Sequence, residues 1–262
     1  MKIGFLVKYE ENLEKWALFA DAIGVEGIEI VYQDKKDYEF KPDEIKAALK
    51  DRNVKVCAMS MFHINTTAKD PEERAKARKL NCELLQTAAA VHAPMAVMNM
   101  GNYEDGNLDR NIEEFLKEHE FYSSMAADLG LTLAYYVGHK PSFADSKEAL
   151  ARVVEALPDI NLKFDPVGLI RNVGADPYDI IKTFGDRIVH FHCKDILRNG
   201  DYEIEPPVGM GDLAWNKIIA MLYGFGYNDY IVIEPHGPMW SKPDKMAQHI
   251  LLSKRHLEQF VI

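Results

Sequence analysis

The chain has 262 residues, of which 47% are hydrophobic and 27% charged, and this composition is typical of a globular protein with a packed core. The formal net charge of −10 argues against nucleic acid as a partner, because an acidic surface repels the phosphate backbone. No run approaches the ~20 apolar residues that cross a bilayer, so no membrane segment is expected. The three cysteines, Cys57, Cys82 and Cys193, form no CxxC pair, which favours a reducing, cytoplasmic location.

Strand-like and helix-like patterns alternate along the whole chain. Short β-branched or aromatic apolar runs predict strands over residues 3–7, 27–31, 54–59, 95–100, 131–136, 161–165, 188–193 and 230–234. Apolar residues at helical spacing predict a helix after each strand, over residues 13–23, 42–51, 71–91, 108–129, 146–157, 177–184, 213–223 and 243–260. Eight such pairs favour closure of a parallel sheet. The predicted fold class is therefore α/β, a (β/α)₈ TIM barrel forming a single domain over residues 1–262.

Three strands in the second half of the chain end in polar residues. Asp165 closes the sixth predicted strand, His190 and His192 lie in the seventh, and Glu234 closes the eighth. The carboxyl ends of the strands in such a barrel meet at one face, where active sites lie. Asp, His and Glu are also ligand types for a divalent metal. The longest connections follow strands as well, at residues 62–70, 101–107, 167–175 and 196–212.

Each of these polar residues also has a purely structural interpretation. Asp165 precedes Pro166, and Asp before Pro commonly starts a turn. Glu234 could simply reach solvent at the strand end. The two histidines are harder to dismiss, because residues two apart on a strand point to the same side. Their spacing suits one metal ligand and one polar partner deeper in the barrel.

Further candidates follow the strands. Lys194 and Arg198 come directly after the histidine pair, where they would bind hydroxyl, carboxylate or phosphate groups of a ligand or form a solvated charge cluster. A second set lies just past other strands, and its members are predicted to line the open end of the barrel: His63, His139, His236 and Trp240. Trp240 is either a packing residue or a cover for a sugar face.

Four segments together resemble the xylose-isomerase-like TIM-barrel superfamily, the sugar phosphate isomerases and epimerases of carbohydrate metabolism. They are residues 164–166 (FDP), 188–195 (IVHFHCKD), 207–215 (PVGMGDLAW) and 233–235 (IEP). The resemblance implies a site for a divalent metal, Mn, Mg, Co or Zn, held by Asp165, His192 and Glu234. It also implies that Arg198 binds the substrate.

The chain departs from the family pattern at three places. Tyr136 stands where the family has a metal-binding Glu on the fifth strand, His139 is displaced by one position, and Gly168 replaces a His. In the family's epimerases two glutamates exchange a proton with the substrate through an enediolate. At an unperturbed pKa of ~10, Tyr136 is a poor substitute for a carboxylate.

The resemblance implies a metal-dependent isomerase, epimerase or related lyase acting on a small sugar or polyol derivative. Glu234 would be one acid/base group, and Tyr136 or His139 the second; His190, His63, His236, Trp240, Lys194 and Arg198 are candidates to contact the substrate. The alternative is a non-catalytic sugar-binding or regulatory relative with a degenerate site. A phosphodiesterase related to repair endonucleases is disfavoured by the acidic charge. Family members form dimers or tetramers, which leaves a homo-oligomer as one alternative.

Overall fold

A computed structural model describes residues 1–9, 11–32, 39–104 and 106–262. Eight parallel strands close into a barrel, because the first strand pairs with both the second and the last. The predicted (β/α)₈ fold is therefore confirmed. The barrel strands are β1 (Lys2–Lys8), β2 (Gly27–Tyr32), β3 (Lys55–Met61), β4 (Met95–Met98), β5 (Thr132–Tyr136), β6 (Leu162–Phe164), β7 (Ile188–Cys193) and β10 (Tyr230–Ile233).

Helices surround the barrel in the order that the sequence predicts. Five of the longer ones begin at a side chain that accepts a backbone N–H of the first turn, which stabilises a helix by about 1 kcal/mol each; these caps are Asn12, Asp70, Asn107, Ser146 and Asp176. The main helices are α1 (Leu13–Ala22), α2 (Pro42–Leu49), α3 (Pro71–Ala90), α4 (Leu108–Asp128), α5 (Lys147–Ala156), α7 (Pro177–Phe184), α8 (Trp215–Gly224) and α10 (Pro243–Leu257).

The alternation of side chains along β7 divides two layers of core. Phe191 and Cys193 face the helices, where the Phe191 ring lies edge-on to Trp215 of α8 with centroids 6.3 Å apart. His190 and His192 point the other way and are buried inside the barrel. The two-residue period of β7 therefore directs its polar side chains into the interior of the barrel.

Three local elements fall in segments that the sequence analysis treats as loops. A hairpin of β8 (Leu197–Asn199) and β9 (Tyr202–Ile204) follows β7, and Gly200 turns it with a φ of 60°. After β6 the chain forms a helical turn, α6 (Pro166–Gly168), and then a π-helical turn over Leu169–Val173. The short helix α9 (Gly237–Trp240) follows β10.

Within residues 1–9, 11–32, 39–104 and 106–262, no helix is both long enough and apolar enough to traverse a lipid bilayer. The cytoplasmic location stays a prediction.

Candidate active site

A cavity of ≈ 230 Å³ opens at the carboxyl ends of the barrel strands. That face is where barrels of this kind place their ligand sites, and the volume suits a small molecule. Its deep wall combines aromatic, imidazole, amine and carboxylate groups from the ends of five strands, namely Phe62, Tyr136, His139, Lys163, Lys194 and Glu234.

The three predicted metal ligands come together beneath this cavity. One donor atom from each of Asp165, His192 and Glu234 lies within 4.8 Å of the other two, and all three residues are buried. The barrel register explains the proximity, because Val232 on β10 lies opposite His192 on β7 and Glu234 follows just past it. Their role as metal ligands stays a prediction.

A lysine ammonium lies between two of these carboxylates. Lys194 Nζ donates to Asp165 Oδ2 at 2.7 Å and to Glu234 Oε2 at 2.5 Å. Burial lowers the pKa of Lys194, but the charges of Asp165 and Glu234 outweigh burial, and the net pKa is raised. Burial likewise raises the pKa of Glu234, yet Lys194 and His192 hold it well below its usual range. Glu234 is therefore a carboxylate with little tendency to take up a proton.

A second layer lies deeper in the barrel and centres on Glu29. Both His190 Nε2 and His192 Nε2 lie 2.7 Å from Glu29 Oε2, while Ser60 Oγ donates to the other oxygen. The remaining ring nitrogen of His192, Nδ1, lies 3.0 Å from Glu234 Oε2. His192 thus bridges two carboxylates. Burial lowers the pKa of His192, but Glu29 outweighs this effect and the pKa is raised.

Glu29 is a buried residue next to the candidate ligands that was not predicted from the sequence. Its carboxylate is fully buried in the middle of an apolar strand, Ile28-Glu29-Ile30. A charged residue in such a run is costly unless it has partners, so this interruption was the available signal. Lys163 was not predicted either. Its amine is buried 3.7 Å from Asp165 Oδ2 and 5.4 Å from the centre of the Phe62 ring.

Tyr136 and His139 form one side of the cavity. The Tyr136 hydroxyl accepts the backbone N–H of His63 at 3.2 Å, and burial raises the pKa of the phenol further above its ordinary value. His139 Nε2 lies 3.5 Å from Asp165 Oδ2. Burial lowers the pKa of His139 more than Asp165 raises it, so the ring is a neutral imidazole at neutral pH.

Gly168 makes room for this imidazole. A Cβ at position 168 would lie 2.9 Å from His139 Nε2 and 3.2 Å from the carboxyl carbon of Asp165. The family resemblance places a histidine at 168, so His139 approaches the space that its side chain would use. The two departures from the family pattern, at 139 and 168, are therefore sterically linked.

Replacing Gly168 with alanine is expected to displace His139 and to destabilise the fold by about 1–3 kcal/mol through overpacking. Urea unfolding measures the loss. The matched control is Gly224→Ala at the end of α8, because a Cβ added there meets nothing within 4 Å. Gly174→Ala is unsuitable, because the positive φ of Gly174 would strain an alanine. Equal stability of the Gly168→Ala protein and wild type would contradict the steric linkage.

The rim of the cavity carries an ion-pair chain. Arg171, from the π-helical turn, pairs with Glu205 and with Glu203, whose Oε1 lies 2.7 Å from Arg171 Nε. His236 Nδ1 lies 2.6 Å from Glu205 Oε2. Of the residues in this chain of ion pairs, Arg171, Glu205 and His236 line the cavity. His63 lines it as well. Arg171 and Glu205 gave no signal in the sequence beyond being charged loop residues.

Three predicted substrate contacts are not among the residues that line this cavity, and their role stays a prediction. Arg198 stands on the exposed hairpin with its Nε 2.6 Å from Glu203 Oε2. His190 is buried against Glu29, and Trp240 packs edge-on against His249 with centroids 5.7 Å apart. Arg198 lies in the β8–β9 hairpin and does not line the cavity, whereas Arg171 does.

The fold and the cavity together define a TIM barrel with a polar cavity at the carboxyl ends of its strands. A family model described as "Xylose isomerase-like TIM barrel" matches residues 17–256, and the chain belongs to this family.

Curated relatives and solved structures agree with that assignment. Inosose dehydratase of Lactiplantibacillus plantarum is 26% identical over 84% of this chain and 81% of its own length, and that of Clostridium perfringens strain 13 is 22% identical over 86% and 82%. The IOLI protein with a binding zinc atom superposes with a TM-score of 0.80 at 18% identity, covering 100% and 98% of the two chains. A Mycobacterium smegmatis barrel in complex with magnesium gives 0.72 at 15% identity, covering 95% and 89%. The two structures show the shared fold.

Proposed function

We propose that this protein is an enzyme that acts on a small keto derivative of a sugar or polyol, removing a proton beside the carbonyl and then expelling the neighbouring hydroxyl, which leaves with that proton as one molecule of water. The family assignment and the curated relatives named inosose dehydratase support a sugar-modifying enzyme. The observation that carries the proposal is the pairing, in one cavity, of a neutral imidazole, His139, with a floor of lysine amines, Lys163 and Lys194.

The acid/base groups favour water loss over the two-carboxylate exchange of epimerases. Glu234 is held ionised by Lys194 and His192, and the raised pKa keeps Tyr136 a neutral phenol. Neither residue is suited to exchange a proton near pH 7. His139 lies in the cavity wall and is a neutral imidazole, so it can act as the base. In our proposal this one residue takes the proton from carbon and later returns it to the leaving hydroxyl.

His139 alone can carry the one proton that the proposed reaction moves. Its imidazole takes the proton from the carbon next to the carbonyl, and the C–H electron pair forms a C=C bond while the carbonyl pair moves to oxygen. The enolate then re-forms the carbonyl and expels the hydroxyl from the next carbon. That hydroxyl leaves as water with the proton held by His139, which returns to the neutral state.

A divalent metal, Mn, Mg, Co or Zn, is the cofactor that the resemblance implies at Asp165, His192 and Glu234. The donors as they stand do not fit it. The Lys194 ammonium lies between two of the carboxylates, and both ring nitrogens of His192 face carboxylates. The proposed steps therefore use only groups of the chain.

The direct test is incubation of the purified protein with an inosose, a cyclic keto-polyol, in D₂O. We expect loss of one water from the substrate by mass spectrometry and a new conjugated carbonyl absorbance. Deuterium uptake at carbon without loss of water would instead support the isomerase or epimerase prediction. Binding of the substrate with neither deuterium uptake nor loss of water would support the non-catalytic alternative and would contradict our proposal.

A further inference from the structure

The position between Asp165 and Glu234 is filled by a cation of the chain itself. Lys194 is buried, and its Nζ donates to Asp165 Oδ2 at 2.7 Å and to Glu234 Oε2 at 2.5 Å. An ammonium has three donors, and the residues described in the structure accept two of them. One N–H of Lys194 is therefore left for a ligand, and Lys194 lines the cavity.

The arrangement separates the candidate metal ligands from the cavity. Among Asp165, His192 and Glu234, only Glu234 contributes to the cavity wall, whereas Lys163 and Lys194 both do. Asp165 and His192 have no exposed surface at all. Next to the candidate metal ligands, a ligand in the cavity meets the amines of Lys163 and Lys194 and the carboxylate of Glu234, whereas Glu205 lines the rim. It therefore meets positive charge where a bound metal would have supplied it.

Both ring nitrogens of His192 already have a carboxylate partner. Its Nε2 lies 2.7 Å from Glu29 Oε2 and its Nδ1 lies 3.0 Å from Glu234 Oε2, so a metal on Nδ1 would have to replace the contact with Glu234. A metal ligand needs a deprotonated ring nitrogen. The family's fourth ligand is also absent, since position 136 carries a phenol.

The carboxylates of the buried cluster already have partners within the chain. Glu29, Asp165 and Glu234 face the two lysines Lys163 and Lys194 and the imidazole of His192. A divalent ion added at this depth would meet these cations within a few ångströms, where repulsion between like charges is large.

We infer that the Lys194 ammonium is the resident cation of this site and occupies the position at which the resemblance implies a divalent metal. Its free N–H is the electrophile for a ligand oxygen. If the proposed function holds, that oxygen is the carbonyl oxygen on which the enolate charge develops, and the reaction proceeds without an added metal. A charged hydrogen bond aimed at such an oxygen is a recognised way to stabilise it.

Metal binding in the absence of any sugar tests the inference. The chelator-treated wild type, Lys194→Ala and Lys163→Ala are each titrated with Co²⁺, by calorimetry and by visible absorption. Lys163→Ala is the matched control, because it removes a buried amine of the same cluster that makes no hydrogen bond to Glu234 and is 3.7 Å from Asp165. We expect Lys194→Ala to bind one Co²⁺ at least about tenfold more tightly than wild type, because an opposing charge is removed from between the ligands.

Two results would overturn the inference. One is a wild type that binds one equivalent of Co²⁺ or Zn²⁺ with a micromolar or lower dissociation constant. The other is an equal gain in the Lys163→Ala variant, which would assign the effect to net charge. If Lys194→Ala does not fold alone, folding rescued by Co²⁺ but not by Co²⁺ with excess chelator supports the inference, and the wild-type titration decides it independently.

The two proposals fail separately. The titration contains no substrate, so its outcome is independent of whether the protein acts on an inosose. Absence of both deuterium uptake and water loss would remove the proposed reaction and leave the resident lysine cation in place.

Discussion

The His139→Gln enzyme is expected to turn over an inosose about 10²–10⁴-fold more slowly than wild type, the range that a positioned general base contributes. Glutamine keeps a polar side chain near Asp165 but offers no nitrogen that can carry a proton from carbon to a leaving hydroxyl. Because the loss falls on the chemical step, kcat should fall while the dissociation constant for the substrate, measured by calorimetry, stays within a few-fold of wild type.

The matched control is His92→Gln, which makes the same substitution at an exposed histidine in the connection before β4. Wild-type turnover is expected for that variant. A His139→Gln enzyme that exchanges deuterium at the wild-type rate would exclude His139 as the base. Loss of substrate binding in parallel with turnover would instead show that the ring positions the substrate.

Replacing Glu29 with leucine is expected to destabilise the protein by about 3–5 kcal/mol, the cost of removing one partner from a buried ion pair. The Glu29 carboxylate is the partner of His190, His192 and Ser60, and His192 has a second carboxylate partner in Glu234, 3.0 Å from its other ring nitrogen. Without Glu29, the ring nitrogens of two buried histidines lose their acceptor. Urea unfolding followed by circular dichroism measures the change.

Glu26→Leu provides the comparison, because Glu26 is exposed three residues earlier and its carboxylate accepts from the Asn53 side chain at 3.2 Å. Surface substitutions of that kind change the free energy of unfolding by about 0.5 kcal/mol or less. If the two variants are equally stable, the buried cluster does not contribute to the fold in the way the geometry indicates.

Much of the architecture could be read from local patterns. Alternation of strand and helix signals predicts eight β/α units, and the period of two along β7 places His190 and His192 on one side of the strand. The carboxyl ends of neighbouring parallel strands necessarily meet, so residues that end β6, β7 and β10 approach one another. Asp165, His192 and Glu234 are close for that reason, and one sequence is enough to expect it.

Contacts between distant strands were beyond the reach of local patterns. Glu29 on β2 meets His190 and His192 across the barrel interior, 161 and 163 residues away in sequence, and only closure of the barrel brings them together. The choice between Arg198 and Arg171 is similar. Arg198 lies in an exposed hairpin, whereas a π-helical turn places Arg171 at the cavity, and neither element was predicted.

The amino-acid sequence by itself determined the barrel, the face that carries the site and three of its buried polar residues, because strand periodicity and chain order dictate which residues share that face. Only the tertiary structure decided where the charges of the long side chains lie. Lys194 could have extended to solvent or to a ligand. Its ammonium lies between Asp165 and Glu234 because two buried carboxylates are costly without a cationic partner and Lys194 supplies one.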